Sequence, residues 1–284
     1  MSILGKYQII EELGRGKFGI VYKGLRVKDQ EPVAIKMENV YNDSNAIKLL
    51  MHETTILNFL HRNGCKTTPA VFWYGIYQDN PTLIIPYYSC SLDQYLNSGS
   101  TINPLSIFAQ LLEILGNVHI HGVIHRDIKP QNIMVKNGDF YLIDFGLATF
   151  YLDENYTHVP YVDSREYILG TPKYTSYNIH LGIEPYRRDD LISLGYMMLS
   201  FYCDLPWTST NICTTSPTTI LNNEILYAKN HIMHPVNLER TRLKSWANVE
   251  SILKLSPLNE TIQTIFVFLD KCYKLNFDST IDDI

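Results

Sequence analysis

The chain has 284 residues, 45% of them hydrophobic and 19% charged, which is enough apolar material to close a core without disulfides or structural metals and excludes a disordered tail or a stapled mini-protein. With 24 Lys and Arg against 29 Asp and Glu the net charge is −5, so neither a nucleic acid nor an anionic membrane is an expected partner. Five cysteines, Cys65, Cys90, Cys203, Cys213 and Cys272, are odd in number, scattered and never spaced as CxxC, which points to an intracellular setting, cytoplasm or nucleus. The opening MSILGKYQII has no apolar stretch fit for a signal peptide, and Ser2 stands where myristoylation needs Gly, so neither secretion nor a lipid anchor is expected.

Residues 7–39 read as three strands: an apolar run to Leu13, then Ile20 to Val27, then Val33 to Met37, each separated by a turn. From Ser44 to Asn63-Gly64, Ala46, Leu49, Leu50, Ile56, Leu57 and Leu60 recur three or four apart, the spacing of an amphipathic helix. A second helix is predicted from Pro104, with Leu105, Phe108, Leu111, Leu112, Leu115 and Val118 on one stripe. Beyond residue 186 the chain reads as mainly helical. Its longest apolar run, Leu191 to Cys203, is shorter than the roughly 18 residues a membrane span needs and reads as a buried core helix. Thr208 to Thr219, rich in Ser, Thr and Asn, reads as a long surface loop. A β-rich first third followed by a helical remainder is an α+β pattern.

Three motifs carry chemistry. Gly14-Arg15-Gly16-Lys17-Phe18-Gly19 is a G-x-G-x-x-G string, which dinucleotide-binding proteins also use; there, a helix follows the glycines. Here Ile20-Val21-Tyr22 are β-formers, so the glycines belong to a hairpin turn whose backbone N–H groups can approach phosphate oxygens closely. Val33-Ala34-Ile35-Lys36 ends an apolar strand in a Lys, and Glu53 lies at the centre of the apolar stripe of the following helix, so an ion pair between them satisfies both. In His125-Arg126-Asp127-Ile128-Lys129-Pro130-Gln131-Asn132, followed by Ile133-Met134-Val135, Asn137-Gly138, Tyr141-Leu142-Ile143 and Asp144-Phe145-Gly146, the Asn-Gly turn folds two strands together and brings Asn132 and Asp144 side by side. Two such oxygen ligands suit Mg²⁺. Asp127 is then a carboxylate able to accept a hydroxyl proton, and Lys129 a positive charge for a phosphoryl group in transfer.

From about Tyr7 to Tyr273 the chain resembles eukaryotic-type protein kinases, whose motif set occurs here complete and in order: Gly14 to Val21, Val33 to Lys36, Glu53, His125 to Asn132 and Asp144 to Gly146. The resemblance implies a bilobal fold: a small antiparallel sheet lobe with one helix (1–85), a hinge (86–88) and a large, mainly helical lobe (89–284). Lys129 and Gly170-Thr171-Pro172 follow the serine/threonine pattern. Gly170 to Tyr196 is similar to the casein kinase I family, with Ser176-Tyr177-Asn178 in place of the usual A-P-E and Arg187-Arg188-Asp189-Asp190 at its end. Where that family carries a basic stretch after its P-W dipeptide, this chain has Thr208 to Thr219.

The resemblance further implies ATP and Mg²⁺ as cofactors, protein Ser/Thr hydroxyls as acceptors and a monomer. ATP would be held by Leu13 to Val21, by Lys36 and by a hinge in which Ile85 is the gatekeeper, Pro86 offers its carbonyl and Tyr88 its N–H. Asp190 would anchor the backbone of the catalytic loop, and Thr171 would position Asp127 and Lys129. Arg126, beside the base, suggests control by a phosphate on the segment after Asp144, whereas casein kinase I relatives are typically active without one. A scaffold lacking catalysis is the competing reading, disfavoured because Lys36, Glu53, Asp127, Asn132 and Asp144 are all present.

Overall fold

The computed structural model describes residues 2–16, 19–38, 49–99, 103–208, 229–255 and 259–283. The expectations for Lys17, Phe18, the helix start at Ser44 and Ala46, and residues 209–219 of the surface loop lie outside the described residues. By internal contacts the chain forms two compact units, Met1–Ser100 with Pro130–Ala148, and Thr101–Lys129 with Thr149–Ile284.

In the first unit β1 (Ser2–Ile3), β2 (Tyr7–Gly16), β3 (Gly19–Arg26), β4 (Pro32–Glu38), β5 (Trp73–Tyr77) and β6 (Asn80–Pro86) form one antiparallel sheet in the order β1-β2-β3-β4-β6-β5, and α1 (Leu49–Arg62) interrupts the strands after β4. Alternation along β4 sets the two faces. Val33 and Ile35 join Ile3, Tyr7 and Ile84 in a buried cluster on one of them. Ala34 and Lys36 point the other way, toward α1, which packs on β4 and β6 and buries Leu50, Ile56, Leu57 and Leu60. Each such burial contributes about 1.5–3 kcal/mol, so packing rather than helix propensity fixes α1. The β2–β3 hairpin stays paired beyond the expected end at Leu13, up to Gly16 opposite Gly19. A Cβ on Gly19 would lie 2.1 Å from the Met37 carbonyl, so only glycine permits β3 to lie that close to β4 there.

The chain continues through β7 (Cys90–Ser91) and α2 (Leu92–Asn97), a short helix started by a capping box between Ser91 and Gln94. Next come α3 (Pro104–Ile120), β8 (Val123–Ile124), β9 (Ile133–Lys136), β10 (Asp139–Leu142) and β11 (Thr149–Phe150). β9 and β10 form the hairpin expected at Asn137-Gly138: Lys136 pairs with Asp139 across the turn, whose two residues have φ of 56° and 89°. This hairpin joins β7 in a three-stranded sheet of the first unit, whereas β8 and β11 pair within the second.

The second unit is helical: after α3 come α4 (Tyr177–His180), α5 (Arg187–Leu199), α6 (Pro235–Leu243), α7 (Trp246–Leu255) and α8 (Glu260–Lys274). α5 is the expected core helix, buried along almost its whole length, but it starts four residues before the apolar run, with buried Arg187, Asp189 and Asp190 in its first turn. It packs against α3 and α8. Gly195 makes the close contact with α8 possible, since a Cβ there would lie 2.5 Å from Leu269 Cδ2. No helix among the described residues is long and apolar enough to cross a membrane.

Candidate active site

In the first unit three charged side chains meet. Lys36, directed by strand alternation toward α1, places Nζ 2.6 Å from Glu53 Oε1 and 3.3 Å from Asp144 Oδ1. Glu53 is only 2% exposed, because its place on the apolar stripe of α1 turns it inward. Burial works against the charge on Lys36, but the carboxylates of Glu53 and Asp144 more than offset it and raise the ammonium above its ordinary range. Burial likewise pushes the Glu53 carboxyl up, opposed by Lys36. The pair expected from sequence is therefore formed, with Asp144 as its third member.

Asp144 follows β10 and adopts the left-handed conformation (φ 66°, ψ 66°), which an Asp tolerates better than most residues; the next residue, Phe145, is fully buried. The amide of Ile143 donates to the carbonyl of Asn132 at 2.9 Å, so the β9–β10 ladder extends one pair beyond its strands and sets Asn132 and Asp144 at the same end of the hairpin. Asn132 is buried, whereas the Asp144 side chain is about half exposed. A carboxylate and an amide oxygen at one hairpin end, with one of the two open to solvent, are hard donors that fit Mg²⁺ with its remaining positions left to water and phosphate.

The glycine hairpin and the strand after β6 complete this unit's share. Cβ atoms built on Gly14 and Gly16 would meet nothing within 4 Å among the described residues, so this stretch of backbone leaves room for a close approach by phosphate. Arg15 turns away into an exposed pair with Glu12, and Leu13 is exposed, while Ile20 and Val21 are half-buried. Ile85 is buried opposite Ala34, and Pro86 pairs with Val33. The Tyr87 amide is taken by the Pro32 carbonyl, and the Tyr88 amide has no acceptor among the described residues. The Tyr88 ring packs 4.9 Å from that of Tyr141.

The second unit organises Asp127. Thr171 Oγ1 donates to Asp127 Oδ1 at 2.7 Å, and Lys129 Nζ lies 2.5 Å from Oδ2 and 3.3 Å from Thr171 Oγ1. One carboxylate is thereby held at both oxygens. Asp190, in the first turn of α5, accepts from the His125 amide at 2.7 Å and the Arg126 amide at 2.8 Å, and its Oδ2 lies 3.0 Å from His119 Nε2. Burial alone would raise the Asp190 carboxyl; the bonds from His119 and the loop amides hold it below its ordinary value. Arg126 sits at φ 69°, and a Cβ on Gly170 would lie 2.5 Å from its carbonyl, so glycine is what lets the segment before Thr171 lie against this loop.

Sequence reasoning located Lys36, Glu53, Asp127, Lys129, Asn132, Asp144, Thr171 and Asp190 but missed the groups that support them. His119 belongs to the Asp190 network. Glu184 pairs with Arg126 at 3.0 Å and with Arg165 at 2.5 Å, so a carboxylate of the chain itself faces the arginine beside Asp127. Asp189 accepts from Ser176 Oγ at 2.5 Å, Asn178 Nδ2 at 2.9 Å and the Tyr186 amide at 2.9 Å, fixing the Ser-Tyr-Asn triplet. Two consecutive acids at the head of a long apolar run were the one available signal for it. A sequence-family model for the protein kinase domain matches residues 7–279.

Proposed function

The chain belongs to the protein kinase family, and from that premise we propose that it is an ATP-dependent serine/threonine protein kinase of casein kinase I type. The observation that carries the proposal is the double hold on Asp127 by Thr171 and Lys129. A carboxylate fixed at both oxygens is oriented to accept the proton of an alcohol. Lys129, already against that carboxylate, stabilises negative charge on the phosphoryl group as it moves.

The groups of the first unit serve the nucleotide. Open backbone at Gly14 and Gly16 receives phosphate oxygens, Lys36 is aimed by Glu53, and the Pro86 carbonyl and Tyr88 amide meet the adenine edge. Asn132 and Asp144 would hold Mg²⁺, which when bound neutralises phosphate charge. Asp190 keeps the backbone of residues 125–126 fixed so that Asp127 does not have to be ordered at the moment of reaction.

Incubation of the purified protein with Mg-ATP and casein, followed by phosphoamino-acid analysis, tests this. Phosphoserine and phosphothreonine are expected. Absence of transfer both to casein and to the protein itself would contradict the proposal and favour a scaffold; phosphotyrosine as the main product would overturn the serine/threonine assignment.

A further inference from the structure

Lys244 is a buried amine with no carboxylate partner among the described residues. It caps α6 and is fully enclosed, and its Nζ donates to two backbone carbonyls, that of Pro172 at 2.8 Å and that of Thr175, and lies 3.2 Å from His180 Nε2. The rings of Tyr196 and Trp207 have their centroids 5.2 and 5.5 Å from it. Burial and the nearby Arg240 lower its pKa well below the ordinary lysine value, so this enclosure opposes the charge. A buried amine in such a place is costly, and its acceptors show what it holds.

The two carbonyl acceptors lie on one turn. Thr171 opens it, and the amides of Tyr174 and Thr175 donate back to the Thr171 carbonyl at 2.8 and 2.9 Å. Trp207 Nε1 donates to the carbonyl of Lys173 at 2.8 Å. The carbonyls of residues 172, 173 and 175 are thus all bound by buried side chains brought from Lys244 and Trp207. At the head of the turn, Thr171 Oγ1 reaches Asp127.

We infer that Lys244 is a positioning residue for the acceptor half of the reaction: by holding the 172–175 turn it keeps Thr171 on Asp127. This rests on the phosphotransfer reading above. Lys244 touches neither reactant, and its influence runs through backbone carbonyls, so it acts on the handling of the acceptor hydroxyl and not on the nucleotide groups Lys36, Glu53 and Asp144.

The test is Lys244→Met, which keeps an unbranched side chain and removes the donors. Loss of two buried hydrogen bonds, which leaves their carbonyl acceptors unsatisfied, is expected to lower kcat/KM for casein by about 10- to 100-fold while the KM for ATP stays within about twofold. In a cycle with Thr171→Ala the two effects are expected to be less than additive, because both act on the same contact. Hydrogen exchange at the amides of Tyr174 and Thr175 is expected to accelerate, with the amides of β4 unchanged. Wild-type acceptor kinetics with wild-type exchange would overturn the inference, and so would an equal loss toward ATP and casein that adds fully to that of Thr171→Ala, since that describes general destabilisation. Should Lys244→Met not fold, Trp207→Phe removes the bond to the Lys173 carbonyl and trims the ring beside Lys244 while leaving the two carbonyl bonds of Lys244 in place; the same selective loss at smaller size is expected, and unchanged kinetics of the folded variant would overturn the proposal. If the wild-type protein transfers no phosphate, the kinase reading fails, and the exchange comparison still decides whether Lys244 holds the turn.

Discussion

Replacing Glu53 by Gln changes one atom of the buried pair and leaves its volume intact. At 2.6 Å and an effective dielectric near 20 the Lys36–Glu53 attraction is about 6 kcal/mol before desolvation is counted. Orphaning a buried charge costs about 3–5 kcal/mol. Lys36 would not be orphaned, however, because Asp144 Oδ1 stands 3.3 Å away, although its half-exposed carboxylate is better screened than Glu53 was. The expected loss is therefore that of one charge-assisted hydrogen bond, about 1.5–3 kcal/mol, with the ammonium drawn toward Asp144. Read as transition-state stabilisation, this lowers kcat/KM for ATP by about 10- to 150-fold, with the fold retained. Steady-state kinetics in ATP, with circular dichroism as the control for folding and a cycle against Lys36→Met, provide the assay. In the Lys36→Met background Glu53→Gln is expected to cost little more. Wild-type kcat/KM for ATP in Glu53→Gln, or two losses that simply add, would refute the claim that Glu53 acts by aiming Lys36.

Two further outcomes are expected. Asp190 is held below its ordinary value near 3.8, so its contribution to stability is fully present above that value and is lost as pH falls through the lower folded-state value; Asp190→Asn should unfold at lower urea at neutral pH and show a shallower acid limb below that ordinary value. Gly195→Ala places a methyl group 2.5 Å from Leu269 Cδ2 and 2.8 Å from its Cγ, and should lower the unfolding free energy in urea by about 1–3 kcal/mol while leaving the KM for ATP unchanged.

What could be read from the sequence was what depends on local rules. Asn137-Gly138 announced a hairpin because both residues accept positive φ, and that hairpin carried Asn132 and Asp144 to one end. Lys36 and Glu53 were paired because each stood alone as a charge on an apolar face. The β5–β6 hairpin went unread: its turn is Gln78-Asp79 at φ 48° and 61°, without a glycine, and Gly75, Pro81 and Pro86 break the strand pattern. The start of α5 was placed too late because Arg187, Asp189 and Asp190 have the composition of a solvated turn, whereas all three are buried, Arg187 and Asp190 against partners far away in sequence and Asp189 against Ser176, Asn178 and Tyr186. The same distance hid Lys244 and Glu184. Their acceptors lie 69 and 72 residues away for Lys244, and their paired arginines 19 and 58 residues away for Glu184, separations across which no periodicity reports.

In the proposed reaction Asp127, held by Thr171 and Lys129, takes the proton of an acceptor hydroxyl. Wild-type protein and Asp127→Asn, compared for γ-phosphoryl transfer from Mg-ATP to casein at saturating ATP, test it most directly. Asparagine keeps the size and one accepting oxygen but cannot take a proton, so turnover is expected to fall by about 10²- to 10⁴-fold with nucleotide affinity nearly intact. Turnover by Asp127→Asn equal to that of the wild type would contradict the account.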